Sequence, residues 1–378
     1  MKKRILISAG ESSGDQHASK LIRELLKLDP DIEFFGIGCD RMEASGVRLL
    51  ERMDRHAIVG VWEVVANIGF IKNLFDSFKK RLDESKTDLA ILIDYPGFNL
   101  ALAKMLASRK IPCVYYITPQ IWAWGMWRIR SIRKYVKKAI VILNFEEALY
   151  KKLGVDATFV GHPLLDDPVT MPAQEEARAR LGLEPDKHTI ALLPGSRPLE
   201  VKRILPVLIQ TCAILGKQLD TQFVISRSPN VDSAIYEEVF TAHGNPRITV
   251  TAGGVTDCLA AADFVITASG TVTLQVAMAE KPMIITYITS MLTYLLGKIF
   301  VRTRIGLVNI IAGEDICPEI LQFYATPDAL AREACAIISS DAKRGSMISG
   351  LRRVKKLLGE PGAAGKAAGI INHILAGR

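Results

Sequence analysis

The residues best suited to chemistry lie in short polar loops that directly follow apolar, strand-forming runs. In the second half of the chain, LPGSR (Leu193 to Arg197) follows TIAL, and ASGTVTLQ (Ala268 to Gln275) follows DFVIT. Small residues let backbone N–H groups approach an anion, a helix N-terminus adds positive potential, and an arginine can hold phosphate oxygens. Two such loops in one lobe predict a diphosphate site and hence a nucleotide-type ligand.

Each of these loops also has an ordinary structural interpretation. A Gly195-Ser196 turn after a strand is commonly only a turn. Ser269 or Thr271 is equally suited to capping the helix that follows. The ligand hypothesis therefore depends on the two loops occurring together, at successive strand ends of one lobe.

Two loops in the first half of the chain carry carboxylates. In DYPGFN, Asp94 stands at the end of the apolar strand LAILI, where an aspartate either caps the next turn or acts as a base. The loop GESSGD, from Gly10 to Asp15, follows the first predicted strand. It resembles a loop that faces an acceptor or a phosphate, and helix capping is the alternative.

These loops belong to a regular alternation of strands and helices. Apolar runs such as RILISAG, LAILIDY and PCVYYIT alternate with amphipathic helical stretches, which is typical of βαβ units and parallel sheets. The alternation stops at a proline-rich stretch, 161–183, and then restarts. The sequence thus predicts two doubly wound α/β lobes joined by a linker, with ligands at the carboxyl ends of the strands.

Composition agrees with a two-domain globular protein. The chain has 378 residues, of which 49% are hydrophobic and 23% charged, with a net charge of +8. Six scattered cysteines without a C-x-x-C pair indicate a reducing compartment. Neither lobe carries G-x-G-x-x-G or a P-loop, which disfavours a dehydrogenase or a Walker ATPase.

We expect no metal site. The segment Asp29 to Asp31 is formally a D-x-D, but it lies between a predicted helix and a predicted strand, where a surface turn is favoured. The six histidines include no pair at metal-ligand spacing.

Part of the surface is suited to a membrane, although no apolar run reaches the roughly 20 residues that cross one. The stretch Ser290 to Val301, followed by Arg302 and Arg304, fits either an interfacial helix or a buried one. We expect a chain that contacts a membrane without crossing it.

An aromatic and basic stretch offers a second candidate surface. Trp122, Trp124 and Trp127 precede the run from Arg128 to Lys138, which contains six basic and no acidic residues. These groups suit a lipid interface or a glycan site. No nucleic-acid motif accompanies the charge, so no nucleic-acid partner is expected.

Seven strings, in order and over nearly the full length, carry a family resemblance: AGESSGD, DYPGFN, YYITPQIWAW, FVGHPLLD, LLPGSR, ASGTVTLQVAMAEKP and LVNIIAGEDICPEILQ. They closely resemble the family of lipid-A-disaccharide synthases. The resemblance implies the GT-B fold, with two Rossmann-like lobes facing a cleft, and an inverting reaction that needs no metal or other cofactor.

The resemblance also implies substrates and a location. Members of the family transfer 2,3-diacylglucosamine from UDP to the 6-hydroxyl of 2,3-diacylglucosamine 1-phosphate, forming the β-1,6 disaccharide of lipid A. They act at the cytoplasmic side of the inner membrane, so its surface lipids are expected partners. A monomer and a homo-oligomer both stay open as alternatives at this point.

The proline-rich linker and the resemblance together set the expected domain bounds. We expect an acceptor domain over residues 1–165 and a UDP-sugar domain over residues 166–345. The C-terminal segment 346–378 is expected to pack back on the first domain.

The resemblance assigns roles to individual residues. Asp94 is implied as the general base, and Arg197, with Gly195 and Ser196, as the group that stabilises charge on the departing UDP. The remaining donor-side candidates are Ser269, Gly270, Thr271, Gln275, Asn309, Glu314, Glu319 and Gln322. The acceptor-side candidates are Glu11, Ser13, Asp15, Asn99 and Trp122.

Gln275 departs from the family pattern, which usually has glutamate at this position to accept hydrogen bonds from ribose hydroxyls. An amide keeps one acceptor oxygen and loses the charge. Asn144 stands where proline is common. The alternatives are another UDP-sugar enzyme of this fold, such as the peptidoglycan N-acetylglucosaminyltransferase or a UDP-sugar epimerase, and a non-catalytic binding protein.

Overall fold

In the computed structural model the chain divides into two units. The first comprises Met1–Asp167 and Leu358–Arg378, and the second comprises Pro168–Leu357. The structure describes residues 2–53, 68–123, 125–167, 170–244, 247–251, 254–290 and 304–377.

The first unit is built on a parallel sheet of seven strands. The strands are β1 (Arg4–Ala9), β2 (Glu33–Gly38), β3 (Arg48–Arg52), β4 (Leu89–Ile93), β5 (Cys113–Tyr116), β6 (Lys138–Val141) and β7 (Ala157–Phe159). They lie in the order β3-β2-β1-β4-β5-β6-β7. The direction of winding therefore reverses between β1 and β4.

Helices cover both faces of this sheet. They are α1 (Ser12–Leu28), α2 (Asp40–Ala44), α3 (Ile68–Glu84), α4 (Pro96–Ser108), α5 (Ile129–Tyr135) and α6 (Asn144–Lys152). Alternate residues of β1 serve the two faces: Ile5 and Ile7 pack with α1, whereas Leu6 packs in the cluster that contains α4. Every strand of the switch region is thus buried on both sides.

The second unit repeats the architecture with six parallel strands. They are β8 (His188–Leu193), β9 (Thr221–Ser226), β10 (Ile248–Thr251), β11 (Phe264–Ala268), β12 (Met283–Tyr287) and β13 (Glu319–Leu321). Their order is β10-β9-β8-β11-β12-β13, so the winding reverses between β8 and β11. The helices are α7 (Gln174–Arg180), α8 (Pro198–Gln218), α9 (Ser233–His243), α10 (Val255–Ala261), α11 (Val272–Met278), α12 (Leu307–Ala312), α13 (Pro327–Ile338) and α14 (Asp341–Leu357).

The return of the chain to the first unit comes later than the sequence indicates. Helix α14 ends at Leu357 and belongs to the second unit, where it buries Met347, Leu351 and Val354, so the first part of the expected segment 346–378 stays with that unit. Of this expected segment, only the residues from Leu358 onward belong to the first unit. The last helix, α15 (Ala363–Leu375), packs against α1 through small residues such as Ala367 and Ala368.

The predicted linker is also shorter than expected. Residues 161–167 remain with the first unit, where the His162 N–H donates to the Leu358 carbonyl at 2.8 Å. Helix α7 already belongs to the second unit, because the Arg178 guanidinium pairs with Asp263 at 2.7 Å. The units divide between Asp167 and Pro168. The proline-rich stretch indicated the correct region for the boundary, but part of that stretch forms the short helix α7.

Asp166 caps the N-terminus of the last helix. Its carboxylate accepts the backbone N–H groups of Gly362, Ala363 and Ala364 at 2.8, 2.9 and 3.0 Å. These are N–H groups of the first turn of α15, which have no partner within the helix. A side chain 196 residues away in sequence therefore caps this helix.

We predict that Asp166→Ala lowers the free energy of unfolding of the first unit by about 1–3 kcal/mol, because three helix N–H groups lose a charged acceptor. Urea denaturation and proteolysis of the C-terminus measure the effect. Asp167→Ala, which removes only a surface ion pair with Lys20, should change stability by less than about 1 kcal/mol. Equal effects of the two changes would contradict the capping role.

Candidate functional site

The second unit contains a cavity of about 400 Å³ at its switch point. The loops after β8, β9 and β11 line it. This is expected, because at a switch point the connections from neighbouring parallel strands leave on opposite faces of the sheet and open a space between them. Seven donor-side candidates from the sequence lie in its wall, namely Gly195, Ser196, Arg197, Ser269, Gly270, Thr271 and Gln275. The two loops singled out by sequence therefore meet in one cavity.

The loop after β8 is held by a residue that the sequence analysis missed. The carboxylate of Glu200 accepts the N–H groups of Ser196 and Arg197 at 3.1 and 3.3 Å. Glycine is favoured at position 195 because its φ of +116° is one that residues with a side chain seldom adopt, and an added Cβ would lie 2.8 Å from the Glu200 Cβ. These two N–H groups are thus already satisfied, and the Arg197 side chain is the main group left for an anion.

Arg197 is well placed for that task. Its side chain is 64% exposed and lies at the start of the 21-residue helix α8, with Nη1 3.6 Å from the Glu200 carboxylate. A guanidinium at this position can form charge-assisted hydrogen bonds with phosphate oxygens.

The loop after β11 presents small residues to the cavity. Neither of its predicted capping hydroxyls caps α11: Ser269 donates to the Ile305 carbonyl at 2.8 Å, and Thr271 makes no side-chain capping bond. Thr273 instead donates to the Gly270 carbonyl at 2.8 Å. Gly270, at φ +149°, has open space where a side chain would project. The exposed hydroxyl of Thr271 thus remains able to bond a ligand.

Residues 226–229, after β9, form the third side of the cavity and include a second cation, Arg227. The sequence analysis did not single them out. The rule that ligands lie after strand ends would have found them, since β9 pairs directly with β8.

The other four donor-side candidates lie outside this cavity wall. Asn309 is buried, and its amide bonds with Ile316, Cys317 and Glu319. Glu319 accepts the N–H groups of Ile305 and Gly306 at the start of α12. These contacts give the two residues structural roles around the loop that leads into β13.

Gln322 and Glu314 are also engaged within the second unit. The Gln322 amide exchanges two hydrogen bonds with the backbone of Thr289, at 3.0 and 3.1 Å. Glu314 forms an exposed ion pair with Arg353 of α14. The two residues lie in one sequence motif, but in the structure Gln322 bonds the backbone of Thr289 and Glu314 pairs with Arg353 at the surface.

In the first unit, Asp94 stands at the switch point, immediately after β4. Burial of its carboxylate and the nearby charge of Glu11 raise its pKa, against a lowering by the Tyr95 N–H. Glu11 follows β1, the strand beside β4. The Tyr95 ring lies over Gly10, where an added Cβ would be 2.3 Å from the ring. The loops after β1 and β4 thus bring the carboxylates of Glu11 and Asp94 close together at the switch point.

The remaining residues of the first loop divide into two groups. Glu11 and Ser13 are exposed at the start of α1. Asp15 is buried, and its carboxylate accepts the N–H groups of Cys39, Arg41 and Met42 at 2.7, 3.0 and 3.2 Å. Asp15 therefore fixes the start of α2, and its oxygens are engaged there instead of facing an acceptor.

The Trp122 indole is half-buried and donates to Glu146 at 2.9 Å. Burial raises the Glu146 pKa to about 7. The sequence analysis did not single out Glu146, which lies in the first turn of α6 and holds the loop after β5. Asn99, also expected to face an acceptor, is fully buried beneath Asp94.

The surface candidates are described in part. Met126 and Trp127 are 46% and 60% exposed, and Arg128 lies over the Trp127 ring at 5.6 Å. Trp124 and residues 291–303 lie outside the described residues. Within the described ranges no helix is both long and apolar enough to span a bilayer. In the same ranges no three His, Cys, Asp or Glu side chains are grouped as metal ligands would be.

Two parallel α/β units, each with its candidate residues at a switch point, define the GT-B class of glycosyltransferase fold, as predicted. The structure resembles a putative UDP-N-acetylglucosamine 2-epimerase from Listeria monocytogenes, with a TM-score of 0.62, 14% identity, and coverage of 98% of this chain and 95% of that one. It also resembles MurG from Acinetobacter baumannii, with a TM-score of 0.59, 13% identity and coverage of 99% and 100%.

Sequence relatives identify the family within that class. A family model described as Lipid-A-disaccharide synthetase matches residues 5–366. Lipid-A-disaccharide synthase of Syntrophus aciditrophicus is 40% identical over 368 residues, which cover 97% of this chain and 96% of that protein. The Geobacter sulfurreducens protein of the same name is 39% identical over 374 residues, covering 98% and 97%. The chain belongs to the lipid-A-disaccharide synthetase family.

We predict that Glu11→Gln lowers the pKa of Asp94 toward its ordinary value, because the change removes a neighbouring negative charge. A carboxyl-carbon NMR titration of aspartate-labelled protein measures it, with Asp94→Asn identifying the resonance. Glu33→Gln removes the same charge at the opposite end of the sheet and should leave this pKa unchanged. If Glu11→Gln also leaves the pKa unchanged, the two carboxylates do not interact.

Proposed function

We propose that this chain is an inverting glycosyltransferase that moves 2,3-diacylglucosamine from UDP to the 6-hydroxyl of 2,3-diacylglucosamine 1-phosphate, with UDP as the leaving group. The observation that carries the proposal is the family match over residues 5–366. The geometry of the two switch points supports a division of labour, with the donor on the second unit and the acceptor on the first.

The cavity of the second unit suits a nucleoside diphosphate. Arg197 and Arg227 supply positive charge, and Thr271 supplies a hydroxyl at the turn after β11. As the bond between the sugar and UDP breaks, negative charge grows on the diphosphate, and a preorganised guanidinium stabilises it. Arg197 is the side chain that we assign to this task.

Gln275 lies in the same cavity wall. In this position its amide oxygen can accept one hydrogen bond from a ribose hydroxyl, without the charge that a glutamate would bring. We therefore assign it to the ribose, with a weaker contact than the family's usual glutamate makes.

Asp94 is the proposed general base. Its partly buried carboxylate takes the proton of the acceptor 6-hydroxyl while that oxygen attacks the anomeric carbon. The new carbon–oxygen bond forms as the bond to UDP breaks, so a single displacement inverts the anomeric centre. A pKa raised by burial and by Glu11 makes the carboxylate a better proton acceptor than an ordinary aspartate.

The other acceptor-side residues either contact the acceptor or support the loops that do so in this proposal. Glu11 and Ser13 are exposed beside Asp94 and are suited to contact the acceptor. Trp122 acts from the loop after β5, which Glu146 holds through the indole N–H. Asp15 and Asn99 support the two loops from beneath.

We further propose that the protein works on the cytoplasmic side of the inner membrane. The surface that supports this is formed by Met126, Trp127 and the exposed cations of the basic run from Arg128 to Lys138, which are Arg130, Arg133, Lys134 and Lys137. Exposed aromatic and cationic groups of this kind lie well against anionic headgroups. Both proposed substrates are lipids, so a membrane location brings them to the enzyme.

The test is UDP release by purified protein given UDP-2,3-diacylglucosamine, with and without 2,3-diacylglucosamine 1-phosphate, in detergent and EDTA. We expect acceptor-dependent release that survives EDTA. Asp94→Asn should lower the rate by about 10²-fold or more, because the shape remains and the base is lost. Asp88→Asn, at the opposite end of β4, is the matched control and should keep the parental rate.

Each other outcome has a definite meaning. Acceptor-dependent release that Asp94→Asn does not reduce would remove Asp94 as the base. UDP binding without release from the parent protein would indicate a non-catalytic binding protein. Release that needs a different acceptor would indicate another enzyme of the GT-B class.

A further inference from the structure

The main chain at the proposed base is held in an unusual conformation. Asp94 and Tyr95 have φ values of 46° and 48°, in the left-handed region that residues with a side chain seldom adopt. The corresponding loops of the second unit place glycine at positive φ, at Gly195 and Gly270. Such strain persists where surrounding contacts hold it, and it concentrates at functional sites.

A buried hydrogen-bond network holds this turn from beneath. The main-chain carbonyl of Asp94 accepts two side-chain donors, the Tyr115 hydroxyl at 2.6 Å and the Asn99 amide at 2.7 Å. The Asn99 amide also donates to the Ile93 carbonyl at 3.1 Å. The Ser8 hydroxyl in turn donates to the Asn99 amide oxygen at 2.6 Å. Ser8, Asn99 and Tyr115 are all fully buried.

The network spans the centre of the sheet. Ser8 of β1 and Tyr115 of β5 are both in register with Leu92 of β4, so they flank the strand that ends at Asp94. Asn99 comes from the first turn of α4. Three adjacent strands and one helix therefore fix a single carbonyl group.

Fixing this carbonyl also restricts the side chain of the same residue. The orientation of the Asp94 carbonyl sets the peptide plane between Asp94 and Tyr95. The Tyr95 N–H lies on that plane and lowers the pKa of the Asp94 carboxyl, so it lies close to the carboxylate. A rotation of the plane would move the N–H away and redirect the carboxylate. General-base catalysis requires that the carboxylate be within hydrogen-bond reach of the acceptor hydroxyl.

We propose that Ser8, Asn99 and Tyr115 are positioning residues for the reaction: by holding the Asp94 carbonyl, they maintain the left-handed turn and aim the Asp94 carboxylate at the acceptor. This role rests on the proposed function. The three residues touch no substrate and act through Asp94 alone.

The test uses Tyr115→Phe, which removes one donor and keeps the ring in the core. We expect kcat to fall about tenfold, since a small misplacement of a catalytic group lowers rates strongly. The KM for the acceptor should stay within about twofold, because no contact with substrate is lost. Tyr116→Phe is the matched control: it lies on the same strand, packs on the opposite face, and should keep the parental kcat.

A double-mutant cycle with Asp94→Asn separates positioning from a general structural effect. In the Asp94→Asn background, measured by single turnovers with enzyme in excess, Tyr115→Phe should change the residual rate by less than about twofold. A tenfold loss in both backgrounds, or a parental kcat for Tyr115→Phe, would overturn the proposal. An Asp94→Asn protein with parental activity would instead reject the proposed base.

Ser8→Ala provides a second route in case Tyr115→Phe does not fold, which circular dichroism would show. It removes the bond that orients the Asn99 amide and leaves both donors to the Asp94 carbonyl in place. We expect kcat to fall about threefold with the KM unchanged. A parental kcat in folded Ser8→Ala would contradict the role of this residue.

Discussion

Every strand in the two sheets runs in the same direction as its neighbours, and this places all the strand-to-helix loops of a unit along one edge. Within each unit the winding reverses once, beside the first strand, so connections from neighbouring strands leave on opposite faces. In the first unit the loops after β1 and β4 leave on opposite faces, and in the second unit the loops after β8 and β11 do so. The chemistry depends on this arrangement, because the open space at each edge is where a ligand can meet loop side chains.

The two edges are equipped with opposite charge. In the first unit, Asp94 and Glu11 bring two carboxylates together, and the partial burial that raises the Asp94 pKa favours proton uptake. In the second, Arg197 and Arg227 bring cations to a cavity lined by small and hydroxyl-bearing residues. Two carboxylates on one unit and a cationic cavity on the other suit the acceptor hydroxyl and the diphosphate leaving group of the proposed reaction.

Much of this could be predicted from the sequence, because a strand end in a parallel sheet is visible as the point where an apolar run stops. Asp94, Arg197 and Thr271 were found in this way. Asp15, Asn99 and Glu319 were harder, because a sequence shows a polar side chain but not whether backbone N–H or carbonyl groups satisfy it. The structure engages all three internally.

The residues that the sequence analysis missed also act through hydrogen bonds inside the protein. Glu200 and Glu146 each stand at the third position of a helix and bond the N–H of the residue before it, a local capping pattern that the sequence analysis did not use. The bond of Glu146 to Trp122 has no such local signal. The late return of the chain after α14 was missed because an amphipathic helix shows that one face is buried, but not which unit buries it. Asp166, which caps a helix 196 residues away, is beyond any local pattern.

Hydrogen exchange with and without UDP tests most directly whether the switch point of the second unit is the nucleotide site. We expect UDP to protect the amides of residues 193–200, 226–229 and 268–275, and to leave residues 10–15 and 94–99 of the first unit unchanged. Arg197→Ala should abolish the protection at the same UDP concentration. Protection confined to the loops of the first unit, or protection that survives in Arg197→Ala, would contradict the assignment.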